Sequence, residues 1–584
     1  MNRFKLSFIG LGYVGLASAA CFASKGFKVL GFDVDEVKVD IIKDGKAPFF
    51  EPGLEMLVKT SVERGLLEVT KDSKKAILDS DITFITVGSP AKEDGSIDLT
   101  YVKEASKMVG EALHYKGDWH LIVVKSTVVP TTTENVAGKM VEAYSGKHVG
   151  KEFGLCVNPE FLREGNAVED TFNPDRIVIG ESDKRSGDVL EELYKEFYGE
   201  NVPPIIRTTP VNAELIKYAN NAFLAMKISF INMIANLCQK LPNTDVEVIA
   251  KSIGLDKRIG PLFLKAGIGW GGSCFPKDLK ALLNFSLKNA VELPLVESTL
   301  KINENQPYKL VELAKELIGN LENRRISVLG LAFKPGTDDM RQAVSIKIIG
   351  RLLEEGANVI VYDPKAMSNA RKIFGKSIAY ANNIEECLKD SECALIVTEW
   401  DEFKSIKPED YVRLMRVPAV ADGRRIYGPE DYSKMLRFKA IGLGERKYHN
   451  PALAVNAIVS KKDKILFVKR SIGPFKGLWS LPGGFIEYDE TVEEALVREV
   501  REETGLNVKP TKVVGIYSKP TRSPHKHIIT ICYICSIVGG RIKPSNESTE
   551  VNFLSIKNLP EKLAFDHKSM VEDYLAIVQA KVKN

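Results

Sequence analysis

The sequence is poor in cysteine, close to neutral in charge and without a long unbroken apolar run, and each shortage excludes something. Eight cysteines scattered over 584 residues are too few and too dispersed for a disulfide scaffold, so a reducing, cytoplasmic setting is expected. A formal charge of +4 gives no basic footprint for nucleic acid or a membrane surface. No apolar stretch reaches the ~18 residues of a membrane span. With 44% hydrophobic and 27% charged residues, the composition is that of a globular protein, and a length prior of ~150 residues per domain suggests about four domains. The charge is uneven: residues 451–584 hold 20 Lys and Arg against 15 Asp and Glu, whereas the first 450 hold 61 against 62. Something changes near residue 450.

The first twenty residues run from basic to apolar to small, a pattern that could pass for a signal peptide. The competing reading is a buried strand, Lys5–Ile9, entering a glycine-rich turn and a helix. Gly10, Gly12 and Gly15 form G-x-G-x-x-G around Tyr13 and Val14, and a second strand, Lys28–Phe32, ends in Asp33. Gly10 permits the tight turn, Gly12 lets the backbone approach a pyrophosphate, and Gly15 lets the helix pack on the strand. The pyrophosphate would rest at the helix N-terminus, where free N–H groups favour an anion. An acid at Asp33 suits ribose hydroxyls and disfavours a 2′-phosphate, so the expected cofactor is NAD.

Strand and helix alternate to about residue 200, with buried strands expected at 82–87, 119–124, 155–157 and 177–179. A long helix over 212–238 lacks glycine and proline and carries an apolar stripe including Leu215, Ala219, Ala222 and Met226. A second α/β unit starts with a strand at 326–330, a helix at 344–355 and a strand at 358–362. The expected fold class is α/β: two Rossmann-like units flank a central helical connector, followed by a separate α+β domain. The expected boundaries are 1–200, 201–320 and 321–444, a linker at 445–450, and a final domain at 451–584. Cys532 and Cys535 form a C-x-x-C inside a strand-like run, where positions three apart face opposite sides, so they read as packing residues.

Gly269-Trp270-Gly271-Gly272-Ser273-Cys274-Phe275-Pro276-Lys277-Asp278 places a cysteine after a glycine-rich run with charged neighbours. That setting suits a reactive thiol, whose pKa nearby cations would lower; a buried packing cysteine is the bland alternative. Further stretches point one way: Glu51-Pro52-Gly53-Leu54, Lys125-Ser126-Thr127-Val128, Asn158-Pro159-Glu160-Phe161-Leu162-Arg163-Glu164-Gly165, Asn220-Asn221-Ala222-Phe223, and Asp422-Gly423-Arg424-Arg425. With them, residues 1 to about 444 resemble the UDP-glucose/GDP-mannose dehydrogenase family, and more its UDP-glucose 6-dehydrogenase branch. GDP-mannose or an N-acetylated UDP-sugar are the alternative substrates.

The resemblance implies two hydride transfers from a primary alcohol to NAD, with Cys274 carrying a thiohemiacetal and then a thioester. It implies that Lys217 and Asn221, four apart on one helix face, stabilise the oxyanion. Asp278 and Thr127 would position water, and Glu160 would be the base for thioester hydrolysis. It further implies NAD contacts from Asp33, Lys38, Ser89, Thr127, Glu164, Lys277 and Arg341. Contacts to the nucleotide sugar would come from Glu160, Phe161, Leu162, Arg163, Glu164, Lys217, Asn221, Arg258, Phe263, Leu264, Lys265, Gly269, Gly271, Lys334 and Arg424. Arg258 can come from a neighbouring subunit in such enzymes, and the long helix can mediate dimerisation, so a homodimer or higher homo-oligomer is expected. Two departures are visible: Ser89 stands where threonine is usual, and Thr131 where glycine is frequent.

The tail holds a second signature. Gly484, Glu490, Arg498, Glu499, Glu502, Glu503 and Gly505 occupy the fixed spacing of a Nudix box, with a helix expected from about Thr491 and Glu494 closing a capping box. Glu499 and Glu503, four apart, share a face and with Glu502 would hold Mg2+ or Mn2+ against a diphosphate. A salt-bridged surface helix would explain the charges but not the glycines. Stretches around Trp479, Tyr517, Arg522, His527 and residues 563–567 resemble ADP-ribose pyrophosphatases. The resemblance therefore implies metal-dependent hydrolysis of a nucleoside diphosphate derivative. A nucleobase-cleansing or diadenosine-polyphosphate hydrolase is an alternative, as is a purely regulatory nucleotide-binding module.

Overall fold

The computed structural model describes residues 3–445, 451–471, 475–524, 527–545 and 548–583. The expected linker at 445–450 lies, apart from Glu445, outside them. Internal contacts divide the chain into two units, Met1–Arg446 and Lys447–Asn584, which are taken separately.

In the first unit, short β-branched and aromatic runs bounded by turns fold into two sheets. The first contains β1 (Lys5–Ile9), β2 (Lys28–Phe32), β3 (Leu67–Thr70), β4 (Ile82–Ile85), β5 (His120–Val124), β6 (Phe153–Val157), β7 (Ile177–Glu181) and β8 (Ile205–Thr208). Their spatial order is β3-β2-β1-β4-β5-β6-β7-β8. The first six strands are parallel, in the doubly wound order, and β7 joins β6 antiparallel. Burial on both faces explains why these strands read as unbroken apolar runs and not as alternation. A second sheet repeats the plan with β9 (Arg325–Leu329), β10 (Asn358–Tyr362), β11 (Ala379–Tyr380), β12 (Cys393–Ile396), β13 (Ala419–Asp422) and β14 (Arg437–Ala440). Its order is β11-β10-β9-β12-β13-β14, parallel throughout.

Helix α1 (Tyr13–Ser24) follows β1, and the helical middle comprises α2 (Pro210–Cys238), α3 (Val246–Gly254), α4 (Phe275–Lys288) and α5 (Pro294–Asn305). Thr209 caps α2, its hydroxyl facing Asn212 N–H at 3.4 Å, and Pro210 opens the first turn. The helix has 29 residues and includes an 18-residue window of mean hydropathy 1.3, so by length and composition alone it could cross a membrane. Its buried face, however, carries Glu214, Lys217, Asn221 and Asn232 among Tyr218, Ala225, Ile231, Ala235 and Cys238. Of the expected apolar stripe, Leu215 and Ala219 are exposed while Ala222 and Met226 are half-buried, and Phe230, Met233 and Leu237 are exposed as well. The polar groups of the site are thus set into an otherwise apolar inner face.

The second unit contains β15 (Ala452–Lys461), β16 (Lys464–Arg470), β17 (Trp479–Ser480), β18 (Leu506–Tyr517), β19 (Ile528–Gly540) and β20 (Ser548–Ser555), with α6 (Val492–Thr504) and α7 (His567–Lys583). Strand β19 lies parallel to β15 and antiparallel to β18, while β20 pairs with β16. Cys532 packs with Ile458, Phe467 and Met570, and Cys535 packs with Val455, Leu496 and Val500. They lie on opposite faces of β19, as the period-two argument requires.

Close packing at the first turn generates a prediction. A Cβ on Gly15 would stand 1.9 Å from the Gly10 carbonyl oxygen, leaving no soft neighbour to yield. Gly15→Ala is expected to lower stability by at least about 2 kcal/mol, the scale of core overpacking, read as a reduced urea midpoint at unchanged m-value. A midpoint equal to that of the wild type would show that α1 does not pack as described.

Candidate functional site

At the cofactor end, Gly10 adopts φ +97° and Gly10 N–H bonds Phe32 O at 2.8 Å. A Cβ on Gly12 would meet nothing within 4 Å, so the space above it is open. Gly12 is also the N-cap of α1 and supplies no side-chain acceptor, which leaves the first N–H groups for a ligand phosphate. Tyr13 packs on Phe49 and Val14 is half-buried. Asp33 accepts from Leu11 N–H at 2.7 Å, Asp35 N–H at 3.0 Å and Lys38 Nζ at 2.9 Å. Burial alone would raise its carboxyl, but these donors hold it below the ordinary value. The turn, the open N-terminus and an ionised acid at the end of β2 fit a dinucleotide.

Residues from the second sheet half close on this turn. Arg341 pairs with Asp339 at 2.8 Å and reaches Glu164 at 3.8 Å, and Thr337 donates to Glu164 at 3.3 Å. Burial, and then Asp339, push the Glu164 carboxyl up to about 7. Ser89 donates to the Thr127 carbonyl at 2.7 Å.

The cleft next to it encloses about 510 Å³ and is lined by Glu160, Phe161, Leu162, Arg163, Lys217, Asn221, Phe263 and Cys274, among others. Lys217 Nζ donates to the Glu160 carbonyl at 2.6 Å and to its carboxylate at 3.2 Å. Both side chains are buried. Burial would lower the Lys217 ammonium, but Glu160, Asp278 and Cys274 outweigh it and keep the group charged. Asn221 donates to Asp278 at 2.7 Å, and Lys277 holds the other Asp278 oxygen at 2.7 Å. Cys274 precedes α4, and its sulfur lies 3.7 Å from Ser273 Oγ.

One electrostatic expectation is overturned. Although Cys274 is exposed as a residue, the protein packed around its sulfur, then Glu160 and Asp278, raise the thiol above its ordinary value, with Lys217 pulling it back only in part. The adjacent cation, Lys277, is taken up by Asp278 and does not serve the sulfur.

The expected sugar-binding residues are not all gathered. Arg258 is 89% exposed, paired with Asp256; Lys265 is exposed, and Leu264 packs in the core. Gly271 is pressed against Gln342, while Lys334 is half-buried near Glu164 and Glu51. Arg424 donates to Val397 O at 2.7 Å and to Gly269 O at 3.2 Å. No role for Lys125 or Asn158 follows from the sequence, although both stand in the stretches that carry the family resemblance. Lys125 Nζ donates to Asn158 Oδ1 at 2.8 Å, and burial pushes its ammonium down to about 8. Arg176, stacked on Phe161 at 3.9 Å and bonded to Asn220, left no sequence signal.

In the second unit, Thr491 and Glu494 form the expected capping box and Gly505 ends α6 at φ +74°. Glu503 accepts from Gly483 N–H at 2.9 Å. A Cβ on Gly484 would stand 2.3 Å from the Glu499 carboxyl carbon. The two carboxylates thus converge on Gly483-Gly484, a donor set that suits a divalent cation. Glu502 is 59% exposed and pairs with Arg498 at 3.3 Å. Among the described residues no three acidic, histidine or cysteine side chains form a ready metal cluster. Arg498 also binds Glu490 at 2.7 Å and Glu499 at 2.8 Å.

A doubly wound cofactor half and a cysteine–lysine cleft define an NAD-dependent dehydrogenase. Comparison with known proteins agrees. Residues 4–198, 211–305 and 327–429 match the NAD binding, central and UDP binding domains of the UDP-glucose/GDP-mannose dehydrogenase family, and 450–574 match the NUDIX domain. A UDP-glucose 6-dehydrogenase of Haloferax volcanii is 45% identical over 423 residues, 72% of this chain and 97% of that protein. One from Bacillus subtilis is 44% identical over 423 residues, 72% of this chain and 89% of its own length. The structure of a UDP-glucose dehydrogenase from Pyrobaculum islandicum, 40% identical, aligns with a TM-score of 0.69 over 76% of this chain and 97% of that one. The chain belongs to the UDP-glucose/GDP-mannose dehydrogenase family and carries an additional NUDIX domain.

All eight cysteines are free, and Cys274 alone is exposed. Brief treatment of the native protein with a thiol reagent is expected to label one residue, Cys274, identified by peptide mass. Because its pKa is raised, the labelling rate should still climb with pH above 9, where an ordinary thiol levels off. Labelling at another cysteine, or a plateau near pH 8, would contradict this environment.

Proposed function

We propose that the dehydrogenase unit oxidises UDP-glucose to UDP-glucuronate through a thioester on Cys274. The observation that carries the reading is the exposed Cys274 in one cleft with the buried Lys217–Glu160 pair and the Asn221–Asp278 contact. NAD, held by residues 10–15 with Asp33, Lys38, Ser89, Thr127, Glu164, Lys277 and Arg341, would accept one hydride in each of two oxidations. The Cys274 sulfur adds to the aldehyde carbon, and the oxygen that gains negative charge is met by the Lys217 ammonium and the Asn221 amide. Lys217 is suited to that task because its neighbours keep it protonated. In the last step water attacks the thioester carbonyl and the sulfur leaves. Asp278 and Thr127 orient the water, and Glu160 accepts its proton. Phe161, Leu162, Arg163 and Phe263, which line the cleft, hold the nucleotide sugar together with Gly269, Lys334 and Arg424. Arg258, pointing away from its own cleft, suits the neighbouring subunit of a homodimer. Phe230, Met233 and Leu237, spaced by three and four on the exposed side of α2, support pairing there.

The NUDIX unit is read as a metal-dependent hydrolase of a nucleoside diphosphate derivative of the ADP-ribose type. Glu499 and Glu503 would hold Mg2+ or Mn2+, which activates water and neutralises the diphosphate. The mild positive excess of residues 451–584 suits an anionic substrate.

NADH formation across a panel of UDP-glucose, GDP-mannose and N-acetylated UDP-sugars tests the first reading. UDP-glucose should give the highest kcat/KM and two NADH per sugar, and Cys274→Ser should cut UDP-glucuronate release by at least about 10³-fold. Preference for another sugar, or an active serine variant, would reject the substrate or the nucleophile respectively. For the tail, the full chain incubated with ADP-ribose and Mg2+ should release AMP. EDTA or Glu499→Gln should abolish that release while NADH formation continues; binding without cleavage would instead mark a regulatory module.

A further inference from the structure

On the buried face of α2, Glu214 stands one turn before Lys217 and two before Asn221. Among the described residues its carboxylate meets no lysine or arginine in a salt bridge; it accepts from Thr131 N–H at 2.6 Å and from Thr133 N–H at 2.7 Å. Those residues end the loop that leaves β5 through Lys125, Ser126 and Thr127. The start of the same loop is tied down by the β4 side: Ser126 donates to Val87 O at 2.6 Å, and Ser89 to Thr127 O at 2.7 Å. Thr131 sits at φ +75°, a left-handed conformation that a β-branched residue rarely adopts without an external hold. A π-helical turn, Thr133–Gly138, follows at once, a geometry concentrated at functional sites.

We propose that Glu214 is a positioning residue: by clamping the strained Thr131 turn to α2, it fixes the distance between Thr127 and the oxyanion donors Lys217 and Asn221. The inference rests on the reading that Thr127 takes part in catalysis. Without both N–H bonds, Thr131 relaxes toward negative φ and carries Thr127 away from the helix. Substrate and cofactor still bind, because the sugar-holding residues do not move with this loop and Thr127 is one of several residues that hold NAD.

Steady-state kinetics with UDP-glucose and NAD, with thermal melts in parallel, test this on four single variants and one double. Glu214→Gln should lower kcat at least about tenfold, since small misplacements of reacting groups carry penalties of that order. KM for both substrates should stay within about threefold, a split that a general loss of folded protein would not produce. Glu214→Asp withdraws the carboxylate by one methylene and should repeat the loss, serving in place of the glutamine variant if that fails to fold. Thr131→Gly makes positive φ free of strain; it should leave the wild-type kcat unchanged and restore most of the kcat lost in Glu214→Gln. A wild-type kcat in Glu214→Gln, or a loss that Thr131→Gly does not rescue, overturns the proposal. Thr127→Ala separates the two claims: if it is harmless while Glu214→Gln is slow and rescued, the role of Thr127 fails and the clamp stands.

Discussion

The contact between Lys217 and Glu160 is the constraint on which the dehydrogenase unit depends. Taking an ammonium and a carboxylate out of water costs more than their attraction returns unless further hydrogen bonds fill the remaining valences. Here they are filled: Lys217 also donates to the Glu160 carbonyl, and Glu160 accepts from Leu162 N–H at 2.6 Å. To bury this pair, α2 sets Glu214, Lys217 and Asn221 into an inner face that also packs Tyr218, Ala225, Ile231 and Ala235. The first half of the helix thus serves the site and the second half the core, where Ile231, Ala235 and Cys238 join a hydrophobic cluster. Phe230, Met233 and Leu237 stay on the exposed side.

The two sheets show how little separates a dinucleotide site from a similar fold. In the first, Asp33 at the end of β2 accepts from Leu11 N–H at 2.7 Å; in the second, Asp363 after β10 accepts from Leu331 N–H, also at 2.7 Å. The acid supports the turn after the first strand in both halves. What differs is the turn: Gly10-Leu11-Gly12-Tyr13-Val14-Gly15 against Gly330-Leu331-Ala332-Phe333-Lys334-Pro335. Ala332 has a Cβ where Gly12 leaves open space, and Pro335 replaces the glycine that brings α1 onto its strand. The second turn therefore cannot offer a bare helix N-terminus to a pyrophosphate. It places Lys334 near Glu164 and Phe333 against Gly272 instead, so the second sheet contributes side chains to the site and no phosphate-binding turn.

Local signals were legible in the sequence and tertiary ones were not. The glycine turn, the start of β1, the Thr491–Glu494 box and the opposite faces of Cys532 and Cys535 all follow from spacing within a few residues. Polarity along α2 was legible only in part: Leu215 and Ala219 of its apolar stripe are exposed while Ala222 and Met226 are half-buried, because periodicity identifies a stripe but cannot say how much of it the fold covers. The direction of the Cys274 shift was likewise hidden. Lys277 is its neighbour in sequence, but Asp278 claims that cation at 2.7 Å, and Glu160 comes from the loop after β6. Lys125 and Asn158 stand inside stretches that carry the family resemblance, yet their contact joins residues 33 positions apart. Thr131 was visible as a departure from glycine; only its φ and the Glu214 carboxylate give that departure a meaning.

The raised thiol bears on how the cleft must work. A sulfur flanked by two carboxylates is a poor thiolate at rest, which protects an exposed cysteine from oxidation and adventitious alkylation. On the proposed reaction, its nucleophilicity would be supplied when the substrate is present. A bound sugar would exclude water from the cleft, and excluding water strengthens every remaining charge interaction. Lys217, fixed on α2, is the positive group best placed to profit. On that reading it would stabilise the tetrahedral oxygen, and in the same field it would ease loss of the thiol proton. The carboxylates that raise the resting thiol would be the groups able to receive that proton. Charges that look unfavourable for Cys274 alone become consistent once attack, proton transfer and oxyanion stabilisation are treated as one event inside a closed cleft.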